Sequence, residues 1–320
     1  FNENSITPDI VTFPFVSTFP LGYSSPVICY GKVNTHCKCV NFINIPFIKS
    51  KFNTCKSDVF DWCKRFEGND KKHIIVYSLT PNLMNVPLEA KKTFKNVDIS
   101  VIIPDLPQYM GCNRIYKALG LKEKDNLYIM NNIIHFDNFI LLTKAMATSL
   151  SIVNRNYCVV EGIFNSKPEM SEYKGKDIEQ NTKTILYSGA LLSKYGINTL
   201  LKAFSSLTDS RYRLVICGDG QAKDIVAEAA AKDNRIKFLG KVDYSQVIAM
   251  QRKADLLVNP RTPAGEYTKY SFPSKTMEYF ASGTTVLMYK LPGILKEYFD
   301  FCYTIEDTSE KALAEEIDFI

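Results

Sequence analysis

Ser271, Phe272, Pro273, Ser274, Lys275 and Glu278 form the densest grouping of anion-handling residues in this chain. Ser271 is of N-cap type and Pro273 suits a first helical turn, so the segment predicts a helix start whose free N–H groups and positive dipole end attract negative charge. Lys275 adds a cation there. Glu278 falls seven residues after Ser271, two turns along one face and roughly 10 Å of axis, with its side chain leaning back toward the helix start. A phosphate at the helix tip and a hydroxyl-bearing ring beside Glu278 would satisfy both ends. The same letters also describe a core helix with Met277, Phe280 and Ala281 inward and Glu278 in water, so the surrounding elements must decide.

Those elements alternate regularly. Apolar runs at 184–188, 213–217, 236–239, 255–258, 285–288 and 301–305 read as strands, and helical periodicity falls at 196–207, 223–232, 245–253 and 274–281. Repeated strand–helix units of this kind predict a parallel sheet with helices on both faces, which binds ligands at its carboxyl strand ends. The polar residues fall on those ends. Gly189 and Lys194 follow the first strand, where glycine admits a close backbone approach and lysine a point charge for a diphosphate. Gly218 and Gly220 follow the second, but Lys223 stands where a dinucleotide fingerprint needs its third glycine, which disfavours nicotinamide or flavin. Gly240 and Lys241 close the third, where a flat base could lie. The first half shows strands at 73–78, 99–103, 139–142 and 157–160, with helices expected at 57–66 and 88–94.

On these motifs the chain resembles the retaining nucleotide-sugar glycosyltransferases of the GT-B type, close to glycosyltransferase family 4 and its bacterial surface-polysaccharide branch. The resemblance is specific over 184–307 and faint before it. It implies an α/β fold of two Rossmann-like parallel-sheet domains facing a central cleft: an acceptor-side domain at 1–164, a linker at 165–183 and a nucleotide-sugar domain at 184–320. It implies that Glu278 binds the ribose, that Lys194 contacts the diphosphate and assists its departure, and that the helix start at Phe272, Pro273 and Ser274 receives phosphate oxygens. Gly189, Gly218, Gly220, Lys241 and Lys275 would line the rest of the donor site. Two departures stand out. Tyr270 occupies the position of the family's first glutamate, for which Glu266 is the nearby substitute, and Ala190 replaces a basic residue, leaving Lys194 with help from Lys275 or Arg261. The donor is expected to be a UDP-sugar and the acceptor a lipid-linked or growing glycan, with no metal and no other cofactor. Asp105 is the expected polar group near the anomeric carbon, with Ser78 and Thr80 as further contacts, although the Pro-Asp-Leu-Pro run around it is equally good turn chemistry. Glu161 carries the same ambiguity. Two other readings stay open: a GT-B partner subunit without turnover, and a GT-B nucleotide-sugar epimerase.

Bulk properties bound the rest. A chain of 320 residues with 46% hydrophobic content can bury two cores. No apolar run of 18 residues occurs, and Phe1-Asn2-Glu3-Asn4 does not open a secretory signal. Phe1 in place of Met, with the family's opening strand and closing helix not visible, leads us to expect a fragment. Nine scattered cysteines suit a reducing cytoplasm, and Cys29, Cys37, Cys39, Cys55 and Cys63 read as small apolar residues more readily than as a zinc site with His36. Of the net charge of +5, residues 1–168 carry +6 (19 basic, 13 acidic) and the remainder −1 (20 basic, 21 acidic). That asymmetry suits peripheral contact with an anionic membrane surface or acceptor, although a solvated basic face with no partner is the commoner case, and it suits nucleic acid less, whose binders set their bases in a stripe. No chemistry is assigned to His36, His73 or His135.

Overall fold

The computed structural model describes residues 8–12, 27–28, 37–39, 42–43, 45, 55–66, 68, 70–111, 114–163 and 181–320. Cys29, His36 and most of the expected linker lie outside them. The chain divides into two compact units, Phe1–Leu141 with Ala147–Cys158, and Leu142–Met146 with Val159–Ile320.

In the first unit, four short strands come first: β1 (Ile10–Thr12), β2 (Val27–Ile28), β3 (Cys37–Cys39) and β4 (Phe42–Ile43). β1 pairs with β3 in parallel, and β2 with β4 antiparallel. Helix α1 (Cys55–Arg65) leads into β5 (Lys72–Tyr77), α2 (Pro81–Thr93), β6 (Val97–Ile103), α3 (Arg114–Ala118), α4 (Leu121–Asn132), β7 (Asn138–Leu141), α5 (Lys144–Ser149) and β8 (Asn156–Val159). These last four strands form one sheet in the order β5-β6-β7-β8, with β5, β6 and β7 parallel. β6 fits its central place because Val97, Ile99, Val101 and Ile103 are all buried. Helix α2 starts seven residues before the expected position, since Pro81 opens it and Pro87 sits inside it. An internal proline removes a helix hydrogen bond. Burial of Met84, Val86, Leu88 and Ala90 on the sheet outweighs that loss, and a reading that treats proline as a breaker cannot see it. The polar helix α4 was not anticipated at all, because its apolar residues do not fall on one face.

In the second unit the elements are β9 (Lys183–Ser188), α6 (Ile197–Ser206), β10 (Tyr212–Cys217), α7 (Lys223–Lys232), β11 (Ile236–Gly240), α8 (Tyr244–Lys253), β12 (Leu256–Asn259), α9 (Ser274–Ser282), β13 (Thr285–Tyr289), β14 (Tyr303–Ile305) and α10 (Glu310–Phe319). All six strands are parallel, in the order β11-β10-β9-β12-β13-β14. Strand alternation sends Ile185, Tyr187, Leu214, Ile216, Val258 and Leu287 to one face, against Leu200, Phe204, Leu313 and Ile317 of α6 and α10. Leu186, Val215, Cys217, Leu257 and Val286 point to the other, against Met250 of α8 and Tyr279 of α9. The winding direction reverses between β9 and β12, which are neighbours in the sheet but first and fourth in sequence. Parallel α/β sheets place their ligand crevice outside the carboxyl ends of such a pair.

Candidate functional site

The loops leaving β9, β10, β11 and β12 lie against one another. The N–H groups of Gly189 and Leu191 donate to the carbonyls of Cys217 (3.0 Å) and Asp219 (2.9 Å), and that of Gly218 donates to Gly240 (2.7 Å). Two glycines make this stacking feasible. A Cβ on Gly218 would stand 1.8 Å from the Gly189 carbonyl oxygen, and one on Gly196 would stand 1.8 Å from that of Pro260, so no side chain fits at either position; both also have positive φ. Gly189 itself faces Lys275, whose Nζ would lie 3.0 Å from its Cβ.

The helix α9 begins at Ser274, where its periodicity places it, but its cap differs from the sequence expectation. Ser271 does not cap it: the N-cap is Pro273, Ser274 is the first helical residue, and no side chain closes the end. The first N–H groups of such a helix need partners from elsewhere. Ser271 instead accepts a hydrogen bond from Arg261 Nη2 (2.8 Å) and donates to the Tyr267 carbonyl (3.1 Å). The tertiary demand of a buried arginine overrides the local capping preference. Glu278 therefore lies only about one turn beyond the first helical residue. Phe272 is an anchor rather than a wall of the site, packing edge-to-face on Tyr298 (5.2 Å) in a cluster with Met288, Leu291 and Ile294.

Glu278 is half-buried. Burial raises its carboxyl above the ordinary range, against a hydrogen bond from Gln251 and the nearby Lys275, which both lower it. Gln251 Nε2 donates both to Glu278 Oε2 (3.3 Å) and to Ser188 Oγ (3.0 Å), while its Oε1 is buried without a partner. The Ser188 N–H donates to the hydroxyl of Tyr279 (3.1 Å), so α8, α9 and the end of β9 are tied together behind the carboxylate. Gln251 and Tyr279 escaped the sequence reading. The available signal was Gln251 itself, a neutral polar residue on the buried side of α8 between Met250 and Ala254.

Three basic side chains form a series here: Lys275 interacts with this carboxylate and with Arg261, and Arg261 shares two tyrosine rings with Lys194. Arg261 is only 8% exposed and lies over the rings of Tyr195 (5.2 Å) and Tyr267 (4.8 Å); its Nε is buried and unpartnered. Lys194, exposed on the turn after β9, lies over the same two rings at 5.3 and 5.5 Å, and its carbonyl accepts from the Tyr267 hydroxyl. Lys275 is the third, with Nζ 3.9 Å from the centroid of the Tyr187 ring. The structure thus brings together Gly189, Lys194, Gly218, Ser274, Lys275 and Glu278, with Arg261 beside them. Lys241 is exposed beyond β11, and Glu266 is exposed in an ion pair with Lys269 (2.9 Å). Asp105 is exposed in the bend after β6 of the first unit. Ser78, at the end of β5, is buried with φ of +83°, an uncommon conformation for a residue with a side chain. Thr80 is the N-cap of α2 without a side-chain cap bond. Among the described residues, no group of three or more His, Cys, Asp or Glu could hold a metal ion.

Residues 168–320 match the family described as glycosyl transferases group 1, so the second unit carries a domain of that kind. A D-inositol 3-phosphate glycosyltransferase of Corynebacterium glutamicum (strain R) is 29% identical over 128 residues, 37% of this chain. The match covers 29% of that relative's own length. Among solved structures, the Anabaena protein HepE in complex with UDP is similar with a TM-score of 0.58 at 16% identity, over 88% of this chain and 76% of that one. A glycosyltransferase of Rickettsia africae ESF-5 gives 0.61 at 14% identity, over 88% and 74%. Sucrose-phosphate synthase of Thermosynechococcus elongatus gives 0.59 at 15% identity, over 98% and 79%. These likenesses show the fold, two parallel-sheet α/β units of the GT-B kind.

Proposed function

We propose that this chain is a retaining hexosyltransferase that moves a sugar from a UDP-sugar to a lipid-linked or glycan acceptor in surface-polysaccharide or glycoconjugate synthesis. The observation that carries this reading is the pairing, at the switch point of the second sheet, of a half-buried carboxylate with a cluster of cations. Glu278 suits two vicinal ribose hydroxyls, which donate to an ionised carboxylate. Arg261, Lys275, Lys194 and the uncapped start of α9 suit a diphosphate a few ångströms away. The group 1 match over the same residues and the UDP in HepE support the choice of donor.

In this reading the glycosidic C1–O bond to the diphosphate breaks while the acceptor hydroxyl attacks from the same face, and its proton passes to the departing phosphate oxygen. Lys194 and Lys275 stabilise the charge that develops there, in place of a metal. Asp105 is the proposed polar group beside the anomeric carbon. The proposed place of action is the cytoplasmic face of a membrane. No helix among the described residues is long and apolar enough to cross one. Peripheral contact rests on the basic balance of residues 1–168 and on the exposed apolar side chains Leu119, Leu127, Met130 and Ile134.

A metal-free thermal-shift series with UDP, GDP, ADP and CMP tests the donor site. UDP at 100 times its Kd adds about 2.7 kcal/mol of stability. A shift with UDP that Glu278→Ala removes is the expected result, and no shift with any of the four would discard the reading.

A further inference from the structure

A lysine ordinarily buries its stem and leaves its ammonium in water. Lys275 does the reverse. The residue as a whole is partly exposed, yet its Nζ has no accessible surface and no hydrogen-bond partner. The amine is tucked between the Tyr187 ring and the backbone of Gly189, at the end of β9. The Tyr187 ring face attracts an ammonium but supplies no lone pair to its N–H groups, so the amine's hydrogen-bonding capacity is left unused.

The groups that face it come from four elements. Arg261, from the loop after β12, is a like charge, and Glu278, from α9 itself, is an opposite one. Cys217, at the end of β10, is pushed up by burial to about 12 and stays a neutral thiol. Tyr187, from β9, is likewise raised by burial, and its hydroxyl donates to the Ala190 carbonyl (2.8 Å). Burial, and then Arg261, pull the Lys275 amine down to about 7, only partly opposed by Glu278 and Cys217. A diphosphate beside it would supply the missing acceptors and cancel the repulsion from Arg261 together.

We propose that Lys275 is a ligand-gated cation: an arriving nucleoside diphosphate supplies acceptors to its sealed, unpartnered amine and draws a proton onto it from solvent. The inference rests on the donor-site reading above and adds a charge state to it. One proton moves from buffer to Nζ, and no bond to phosphorus is made. The ammonium then holds the phosphates jointly with Arg261, so the site gains its second buried cation only when a diphosphate is present. A nucleoside without phosphates gives no such gain.

Calorimetric titration with UDP in buffers of different ionisation enthalpy counts the protons. At pH 8 the wild type should take up a large part of one proton per UDP, and at pH 6 clearly less, because the amine is pulled down to about 7 in the free chain. Lys275→Met should take up none at pH 8 and bind UDP about ten-fold or more weakly, the loss of one charge-assisted contact. Lys275→Arg should restore part of the affinity without restoring the uptake, since arginine is charged throughout. Uridine should cause no uptake in any variant. If the wild type binds UDP in a Glu278-dependent manner and takes up no proton at pH 8, the gated cation is refuted while the donor site stands. That wild-type count decides the matter even if Lys275→Met does not fold. Failure of the wild type to bind any nucleoside diphosphate would overturn the donor site and the proposal with it.

Discussion

At the scale of single residues, the site is a carboxylate set against cations, and each member has a distinct test. Glu278 receives one side-chain hydrogen bond, from Gln251, and has ample acceptor capacity left for a sugar. Glu278→Gln should weaken UDP binding by about 1.5–3 kcal/mol, roughly 10- to 150-fold, measured by calorimetry at neutral pH. Because burial raises its carboxyl above 4.5, UDP affinity should begin to fall on acidification at a higher pH than an exposed glutamate would give, and the fall should vanish in Glu278→Gln. Tyr279→Phe removes the acceptor of the Ser188 N–H and leaves that buried donor unpaired, which should cost about 1–3 kcal/mol of stability in urea unfolding. Glu278, Lys275 and Lys194 were legible as candidate residues because charged side chains at strand ends and helix starts stand out against apolar surroundings. Arg261 was legible only as a helper, since nothing near it in sequence shows that Ser271 and two tyrosine rings hold it.

At the scale of elements, the stacked turns after β9 and β10 set the site's floor, and their glycines are its tightest constraint. Gly218→Ala would drive a methyl into the Gly189 carbonyl, in a backbone region that L side chains avoid. It should destabilise the protein by about 3 kcal/mol or more and abolish UDP binding, whereas Gly240→Ala, which meets open space although its φ is +65°, should cost about 1 kcal/mol. Guanidinium or urea midpoints of the two variants separate these outcomes. On α4, Leu127 is 66% exposed beside Lys124, and Leu127→Glu should reduce co-flotation with anionic liposomes at low salt. Absence of flotation by the wild type would remove the membrane contact from the proposed function. The cap of α9 was misjudged by two residues because Ser271 is an excellent cap by type, yet tertiary structure assigns its hydroxyl to Arg261.

At the scale of the whole molecule, the buried ionisable groups shape stability against pH in two opposed windows. Lys275 is depressed in the folded state, so the folded chain binds fewer protons than the unfolded one between about 7 and 10.5. Its contribution is present above the unfolded value and is lost as pH falls through about 7, so stability should rise across that window by at most about 1.4 kcal/mol per pH unit. Tyr187, Tyr279 and Tyr289 are raised by burial, so their contribution is present below 10 and is lost on further alkalinisation. The thiols of Cys63, Cys217 and Cys302 are raised by burial in the same way, so their contribution is lost from about pH 9 upward. The thermal midpoint should therefore climb from pH 7 toward about pH 9 and then decline, and Lys275→Met should flatten the rising limb alone. The sequence by itself determined the alternation of strands and helices in the second half, the parallel sheet and the rim on which its glycines and charges fall. Those features follow from apolar periodicity and from turn residues adjacent in the chain. Only the tertiary structure decided that the Lys275 amine is sealed under Gly189, that Gln251 supports Glu278, and that Arg261 takes the hydroxyl of Ser271. Burial and unpaired polar atoms depend on residues from β9 and α9 meeting across more than 80 positions of chain, and no local pattern encodes that meeting.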